Sequence, residues 1–144
     1  MFALSLQVRP PLCRQKNMNN TISTPAFFEH EHDFLKIDFS PNLHVDSNAA
    51  KRILTLARFC KDQESLWLMV DISHIKSIDK AAREFFSKKE ILGQTKAMAL
   101  IANSTMHKII GNIFITFEKP SIPCMIFSKK SDALVWLQEL KSRT

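Results

Sequence analysis

The chain has 144 residues, of which 45% are hydrophobic and 24% are charged, and its formal net charge is +6 at pH 7. This length and composition predict one globular domain with a sizeable core rather than a disordered chain. Its two glycines, Gly93 and Gly111, lie too far apart for a GxGxxG loop, a Walker A motif or a GxSxG elbow, which excludes the nucleotide-binding and hydrolase classes built on them.

Residues 1–25 contain Pro10, Pro11 and Pro25 with several asparagines, and they show no sustained periodicity. We expect a flexible extension here and a single domain over residues 26–144. Met18 is an alternative start of the native protein. Half of the net positive charge precedes Met18, so the charge does not indicate specific nucleic-acid binding by the domain.

The sequence favours a cytoplasmic protein. No apolar run approaches the roughly 18 to 20 residues of a membrane span, and the N-terminus lacks the pattern of a signal peptide. Three cysteines, Cys13, Cys60 and Cys124, are widely spaced, cannot all pair with one another and form no CxxC motif, as expected in a reducing compartment.

The first elements of the predicted domain are a β-hairpin and a helix. Residues 26–31 and 34–39 flank a polar turn, and the second segment alternates apolar and polar side chains. His30 and His32 would share one strand face and offer a metal pair, but no third ligand is fixed by spacing, so we expect no metal site. A loop over residues 41–45 then leads to a helix that begins at Asp46 or Ser47 and ends near Cys60.

The centre of the chain is the apolar run at residues 66–72, whose length and lack of alternation predict a strand buried on both faces. Asp71 near its end is costly to bury, so we expect its carboxylate to accept a hydrogen bond from the following loop. Asp79 is a suitable N-cap for a helix that runs to Leu92, with Gly93 as its C-cap. In parallel sheets, ligands and partners meet the carboxyl ends of strands, where the loop over residues 73–80 would lie.

The second half of the chain continues the alternation. A buried strand is predicted at residues 96–102, and a cap at Asn103, Ser104 or Thr105 opens a helix that Lys119-Pro120 ends. A short strand at residues 123–128 precedes a last helix from Ser131 or Asp132. The predicted apolar stripe of the first of these helices consists of Met106, Ile109, Ile110, Ile113, Phe114 and Phe117. This order predicts an α/β domain with a mainly parallel sheet.

Several local strings fit one known family pattern: Val70-Asp71-Ile72 with Ser77-Ile78-Asp79 and Ala82-Arg83-Glu84, Ile110 to Phe114 before Lys119-Pro120, and Phe127 with Ala133 and Trp136-Leu137. Together with the element order, they resemble the SpoIIAA-like fold and, within it, small bacterial proteins described as STAS-like or STAS/SEC14-type. The resemblance covers roughly residues 26–140. It implies a mixed, mainly parallel sheet with an N-terminal hairpin and about four helices.

In STAS proteins that antagonise anti-sigma factors, a serine that directly follows an aspartate at a helix N-terminus is phosphorylated. This chain has Lys80 after Asp79, so the acceptor serine of that pattern is missing. Ser73 and Ser77 are the remaining hydroxyls of the loop and are either phosphorylation sites or turn residues that bond their own backbone.

These observations favour a non-enzymatic regulatory or protein-interaction module without a cofactor. Its expected contact surface consists of Asp71, Ser73, His74, Ser77, Asp79, Lys80 and Arg83. The SEC14-type resemblance offers an alternative, binding of a small apolar ligand or lipid among the phenylalanines, although Phe85, Phe86, Phe114 and Phe117 are also suited to a core. An enzyme would have to use His74 with Ser73, Asp71 and Asp79. A homodimer with Trp67 and Ile115 at the contact is a further option.

Overall fold

The computed structural model describes residues 25–31, 34–60 and 66–143. The strands in these ranges are β1 (Ala26–Glu31), β2 (Phe34–Phe39), β3 (His44–Val45), β4 (Leu66–Asp71), β5 (Ser77–Ile78), β6 (Thr95–Ile101) and β7 (Cys124–Phe127). The helices are α1 (Ser47–Cys60), α2 (Lys80–Ser87), α3 (Lys89–Leu92), α4 (Thr105–Ile113), which continues as a π-helix (Phe114–Glu118), and α5 (Lys130–Arg143). The expected extension before Pro25 and the side chains of His30 and His32 lie outside this description.

Five strands form the main sheet in the order β1-β2-β4-β6-β7. The β1–β2 hairpin is antiparallel, and β2, β4, β6 and β7 run parallel to one another. The predicted mixed, mainly parallel α/β architecture is therefore confirmed, with β4 in the middle of the sheet. The four parallel strands end at one edge, which we call the carboxyl edge.

The two faces of the sheet bury separate apolar clusters. The first face, with Leu68, Val70 and Leu100 at its centre, packs against α1, α2 and α4. The second face, with Trp67, Met69 and Ala99, is covered by α5 through Ala133 and Leu137. In the described part of the chain, no helix has both the length and the apolar character needed to cross a membrane.

Two predicted segments differ from the structure. The helix expected over residues 79–92 is divided at Lys88, whose extended backbone (φ −69°, ψ 139°) separates α2 from the single turn of α3 before the C-cap Gly93. The loop expected over residues 41–45 contains β3, which pairs in parallel with β5 in a second, two-stranded sheet. Strands of two residues are too short to show a periodicity in the sequence.

The apolar stripe predicted for α4 is rotated from the face that is buried. Met106, Ile109 and Phe117 are 52%, 53% and 72% exposed. Ile110 and Phe114 of the predicted stripe do pack inward, and the same face also carries His107, Gly111 and Ile115. Its close approach to β7 depends on Gly111, where an added Cβ would lie 2.9 Å from Ile126 Cδ1. A glycine therefore lies where the helix and the sheet are nearest.

The two residues expected at a subunit contact pack within the chain. Trp67 is 6% exposed and belongs to the cluster under α5, and Ile115 is partly buried against the first apolar cluster. Trp67 is on a central strand, and the π-helix that follows α4 places Ile115 toward the core. Trp67 therefore offers no surface for a dimer contact, and Ile115 leaves only part of its side chain exposed.

Cys124 begins β7, and burial raises the pKa of its thiol to about 12. The thiolate is the reactive form of cysteine, so we expect the folded protein to react very slowly at this position. In a variant with Cys13→Ser and Cys60→Ser, iodoacetamide at pH 8 should alkylate Cys124 at least tenfold more slowly in buffer than in urea. Equal rates would show that Cys124 is accessible in the native state.

Candidate functional site

The loop between β4 and α2 lies at the carboxyl edge, and together with its two flanking turns it forms a surface that we call the rim (residues 71–84). Asp71 ends β4, and its Oδ1 accepts a hydrogen bond of 2.9 Å from the backbone N–H of Ser73. This confirms the expectation that the loop satisfies the carboxylate. Ser73 Oγ lies 3.5 Å from the carbonyl oxygen of Ile101, the last residue of β6. The start of the loop is thereby held against the neighbouring strand.

Asp79 fixes the far end of the loop by capping α2. Its Oδ1 accepts a hydrogen bond of 2.9 Å from the backbone N–H of Ala82, and its own N–H donates to the carbonyl of Val45 at 3.1 Å. The predicted N-cap is therefore confirmed. The Asp79 carboxylate therefore stabilises the start of α2.

Replacing Asp79 by alanine should lower the free energy of unfolding by about 1 kcal/mol, since one N–H of the first turn of α2 loses its acceptor. Asp79→Asn, which can still accept that hydrogen bond, should cost much less. Urea denaturation of the two variants beside the parent protein measures the difference. An equal loss in both would attribute the effect to charge rather than to capping.

His44 was not among the predicted site residues, yet it contacts two of them. Its Nδ1 lies 2.5 Å from Ser77 Oγ, and its Nε2 lies 4.0 Å from Asp79 Oδ2. His44 and Ser77 are register partners in the β3–β5 pair, so the contact follows from the strand pairing. A serine beside a histidine is the start of a nucleophilic pair, but the 4.0 Å separation is too long for Asp79 to orient the ring by a hydrogen bond.

His107 was also missed, and it joins the rim to α4. This side chain is 8% exposed, and its Nε2 lies 2.8 Å from the carbonyl oxygen of Ile75 in the loop. Because a carbonyl only accepts, Nε2 carries a hydrogen and donates it. Nδ1 lies 2.6 Å from the hydroxyl of Ser104, the N-cap of α4. Both ring nitrogens are thus hydrogen-bonded in a buried position, and this side chain attaches the loop to α4.

Arg83 extends from the rim to the end of the π-helix. Its Nε donates to Glu118 Oε2 at 3.3 Å, and the two side chains are only 19% and 9% exposed. A second nitrogen of the guanidinium donates to the carbonyl of Ile78 at 3.4 Å. Lys80, by contrast, is exposed and lies 3.7 Å from Glu84 one turn later on the surface. Arg83 therefore links the rim backbone to the π-helix, and Lys80 faces solvent.

The seven predicted site residues, which all belong to the rim as defined, have different roles in the structure. Asp71, Asp79 and Arg83 hold the backbone, whereas His74 and Lys80 are exposed. Among the described residues, the His74 ring makes no hydrogen bond to Ser73 or to either aspartate. The catalytic cluster considered from the sequence does not assemble in this arrangement.

A cavity of about 200 Å³ lies inside the first face of the sheet. Side chains of β2, β4 and β6 form its floor, α1, α3 and α4 form its walls, and Ile75 and Ile78 of the rim close one end. Apolar groups dominate the lining, which includes Ile53, Ala57, Leu66, Leu68, Phe86 and Phe114. Exposed residues such as Arg58 and Glu90 are part of the lining, so the cavity is partly open to solvent, and a concave, mainly apolar site of this kind is typical of small-molecule binding.

Comparisons with known proteins place the fold. A family model described as "Domain of unknown function (DUF7793)" matches residues 28–141. Among solved structures, an uncharacterised DUF3478 protein from Shewanella loihica PV-4, described as having a SpoIIAA-like fold, aligns with a TM-score of 0.57 at 16% identity. The alignment covers 84% of this chain and 99% of the other, and it shows that this chain has the SpoIIAA-like fold. No curated protein matches the chain.

Proposed function

From the premise that this chain belongs to the DUF7793 family, we propose that it is a non-enzymatic protein-interaction module whose contact surface is the rim. The observation that supports this proposal is that two different sets of rim side chains stabilise the backbone and face solvent. Buried or half-buried groups fix its backbone, and exposed polar side chains with no structural task face outward. A surface fixed before binding loses little conformational entropy when a partner docks.

The outward-facing side chains favour an acidic partner. His74, Lys76 and Lys80 are exposed, and Asp71 and Asp79 use their carboxylates to accept backbone hydrogen bonds. The third acidic side chain of this surface, Glu84, is exposed and lies 3.7 Å from Lys80, so His74 and Lys76 are the groups left to face an acidic partner. Cationic groups around such a surface steer an acidic partner and set its orientation more than they add affinity. The module would thus regulate its partner by occupying a surface rather than by modifying it.

Site-specific crosslinking tests this proposal. A photo-reactive amino acid at position 76 should capture a partner in host cells, whereas the same group at position 96, at the opposite edge of the sheet, should not. With the captured protein purified, Lys76→Glu with Lys80→Glu should weaken binding by at least tenfold, and Lys89→Glu with Lys96→Glu should leave it unchanged. Equal losses in both double variants would contradict a contact at the rim.

The cavity supports a second candidate function, binding of a small apolar ligand. An engineered apolar cavity of ~150 Å³ binds benzene, so a void of about 200 Å³ has room for one ring or a short alkyl chain. From the sequence alone, these apolar residues were equally suited to fill a core. The support for ligand binding is therefore the cavity and not the resemblance to lipid-binding domains.

Small aromatic probes test the second function. Benzene or toluene should raise the melting temperature of the protein in proportion to its occupancy of the cavity. Ala57→Phe, which places a ring in the cavity from α1, should abolish this shift. Ala81→Phe, at an exposed alanine of α2, is the matched control and should retain it. A probe that stabilises the two variants equally would be binding elsewhere.

A further inference from the structure

We propose that the cavity receives a small, uncharged, mainly apolar molecule with one hydroxyl group, and that this hydroxyl forms a hydrogen bond with Thr95. The inference deepens the ligand-binding function proposed above and rests on it. Its basis is the position of one polar side chain in the otherwise apolar lining.

Thr95 faces the cavity because β6 contains a bulge. Leu66 of β4 pairs with Thr95, but the next residue, Trp67, pairs with Ala97, so Lys96 is an extra residue in β6. Side chains alternate between the two faces of a regular strand, and Thr95 would then share the second face with Ala97. The extra residue turns Thr95 to the first face, where it lines the cavity beside Leu66. Bulges that re-aim one side chain in this way are frequent next to binding sites.

The Thr95 hydroxyl is buried, since the residue is only 7% exposed. Within the described residues, no side-chain hydrogen bond involves this hydroxyl, although buried polar groups in folded proteins are nearly always paired. A valine would fill the same volume in a β-strand without this cost. A ligand hydroxyl in the cavity would supply the missing partner, because a hydroxyl can both donate and accept.

The remaining polar groups of the lining argue against a charged ligand. Arg58 and Glu90 are both at exposed positions of the lining, and their charges are opposite, so together they favour neither anions nor cations. Every other lining side chain besides Thr95 is apolar or is glycine. A charged group inside this wall would lose its hydration without gaining a counter-ion. The ligand chemistry is therefore that of a phenol or a short-chain alcohol.

Phenol and toluene make a matched pair of probes, because they differ by a hydroxyl in place of a methyl group. We expect the ratio of the phenol Kd to the toluene Kd to rise about fivefold in Thr95→Val, the effect of one lost hydrogen bond. Thr95→Ser keeps the hydroxyl and should keep the parent ratio. Ligand-free Thr95→Val should also melt at a higher temperature than the parent, since it buries no unpaired hydroxyl.

The outcomes separate the inference from the function on which it depends. Binding of both probes with an unchanged ratio in Thr95→Val would overturn the role of Thr95 and leave apolar ligand binding in place. Failure of both probes to bind the parent protein, with no shift in the cavity resonances of an NMR spectrum, would overturn both proposals. If the ratio of the phenol Kd to the toluene Kd rose as much in Thr95→Ser as in Thr95→Val, the contact would not depend on the hydroxyl.

Discussion

Replacing Arg83 by alanine should lower the free energy of unfolding by about 3 kcal/mol, one of the two largest effects that we expect from a single substitution in this protein. The reason is the position of Glu118, whose side chain is 9% exposed and lies 3.3 Å from Arg83 Nε. Removal of the guanidinium leaves a carboxylate that is largely shielded from water and has lost its charged partner. Urea denaturation followed by circular dichroism measures the loss.

A double-mutant cycle separates the ion pair from simple loss of contact. Glu118→Ala should cost a similar amount, and Arg83→Met with Glu118→Leu should recover most of the stability, because no charge then remains buried. Lys80→Ala with Glu84→Ala removes an exposed pair of the same helix and should change stability by less than about 0.5 kcal/mol. If the loss of stability in the double variant Arg83→Ala with Glu118→Ala equals the sum of the two single losses, the two side chains do not interact.

Replacing His107 by alanine should lower the free energy of unfolding by about 2 to 3 kcal/mol. The substitution leaves the carbonyl of Ile75 without its donor and opens a space beneath the rim. Hydrogen exchange at the amides of residues 73–78 should accelerate with it, because the loop loses its attachment to α4. Native-state exchange read by NMR or mass spectrometry reports both quantities.

Two further variants control this result. His107→Gln places an amide nitrogen near the position of Nε2 and should recover part of the loss. His74→Ala removes an exposed histidine of the same loop and should leave stability within about 0.5 kcal/mol of the parent. Faster exchange of the loop in His74→Ala than in His107→Ala would contradict the assignment of His107 as its anchor.

The fold was predictable because its main signals are long and local. The apolar run at residues 66–72 is too short for a helix and does not alternate, so it had to be a strand covered on both faces, and β4 is the central strand. Asp79 caps its helix through a side-chain contact three residues away, as predicted, and Ser104, one of three predicted candidates, caps α4 in the same way. Signals of this kind need no knowledge of distant contacts.

The inward face of α4 could not be predicted from hydrophobicity. The predicted stripe and the buried face share Ile110 and Phe114, and tertiary contacts turn the helix toward the side that contains His107 and Gly111. A histidine and a glycine add little to an apolar pattern, yet one bonds Ile75 and the other allows β7 to approach. The same reasoning explains why Phe117, expected in the core, is 72% exposed.

The position of the rim loop at the carboxyl edge was predictable, but the contacts within it were only partly so. The carboxyl ends of parallel strands indicated the loop that contains Ser73 and Ser77, and the capping rule indicated the role of Asp79. The contact of His44 with Ser77 depends on two-residue strands that are far apart in sequence. The cavity depends on how well side chains fill space, and the orientation of Thr95 depends on one extra residue in β6.

Among the described residues, the helix that covers the second face of the main sheet is α5, which contacts β4, β6 and β7. Every strand of that face is made before residues 130–143. During synthesis the side chains of Trp67, Met69 and Ile101 therefore stay in contact with water until α5 has left the ribosome. An exposed apolar sheet face is prone to aggregation, and the docking of α5 removes that exposure.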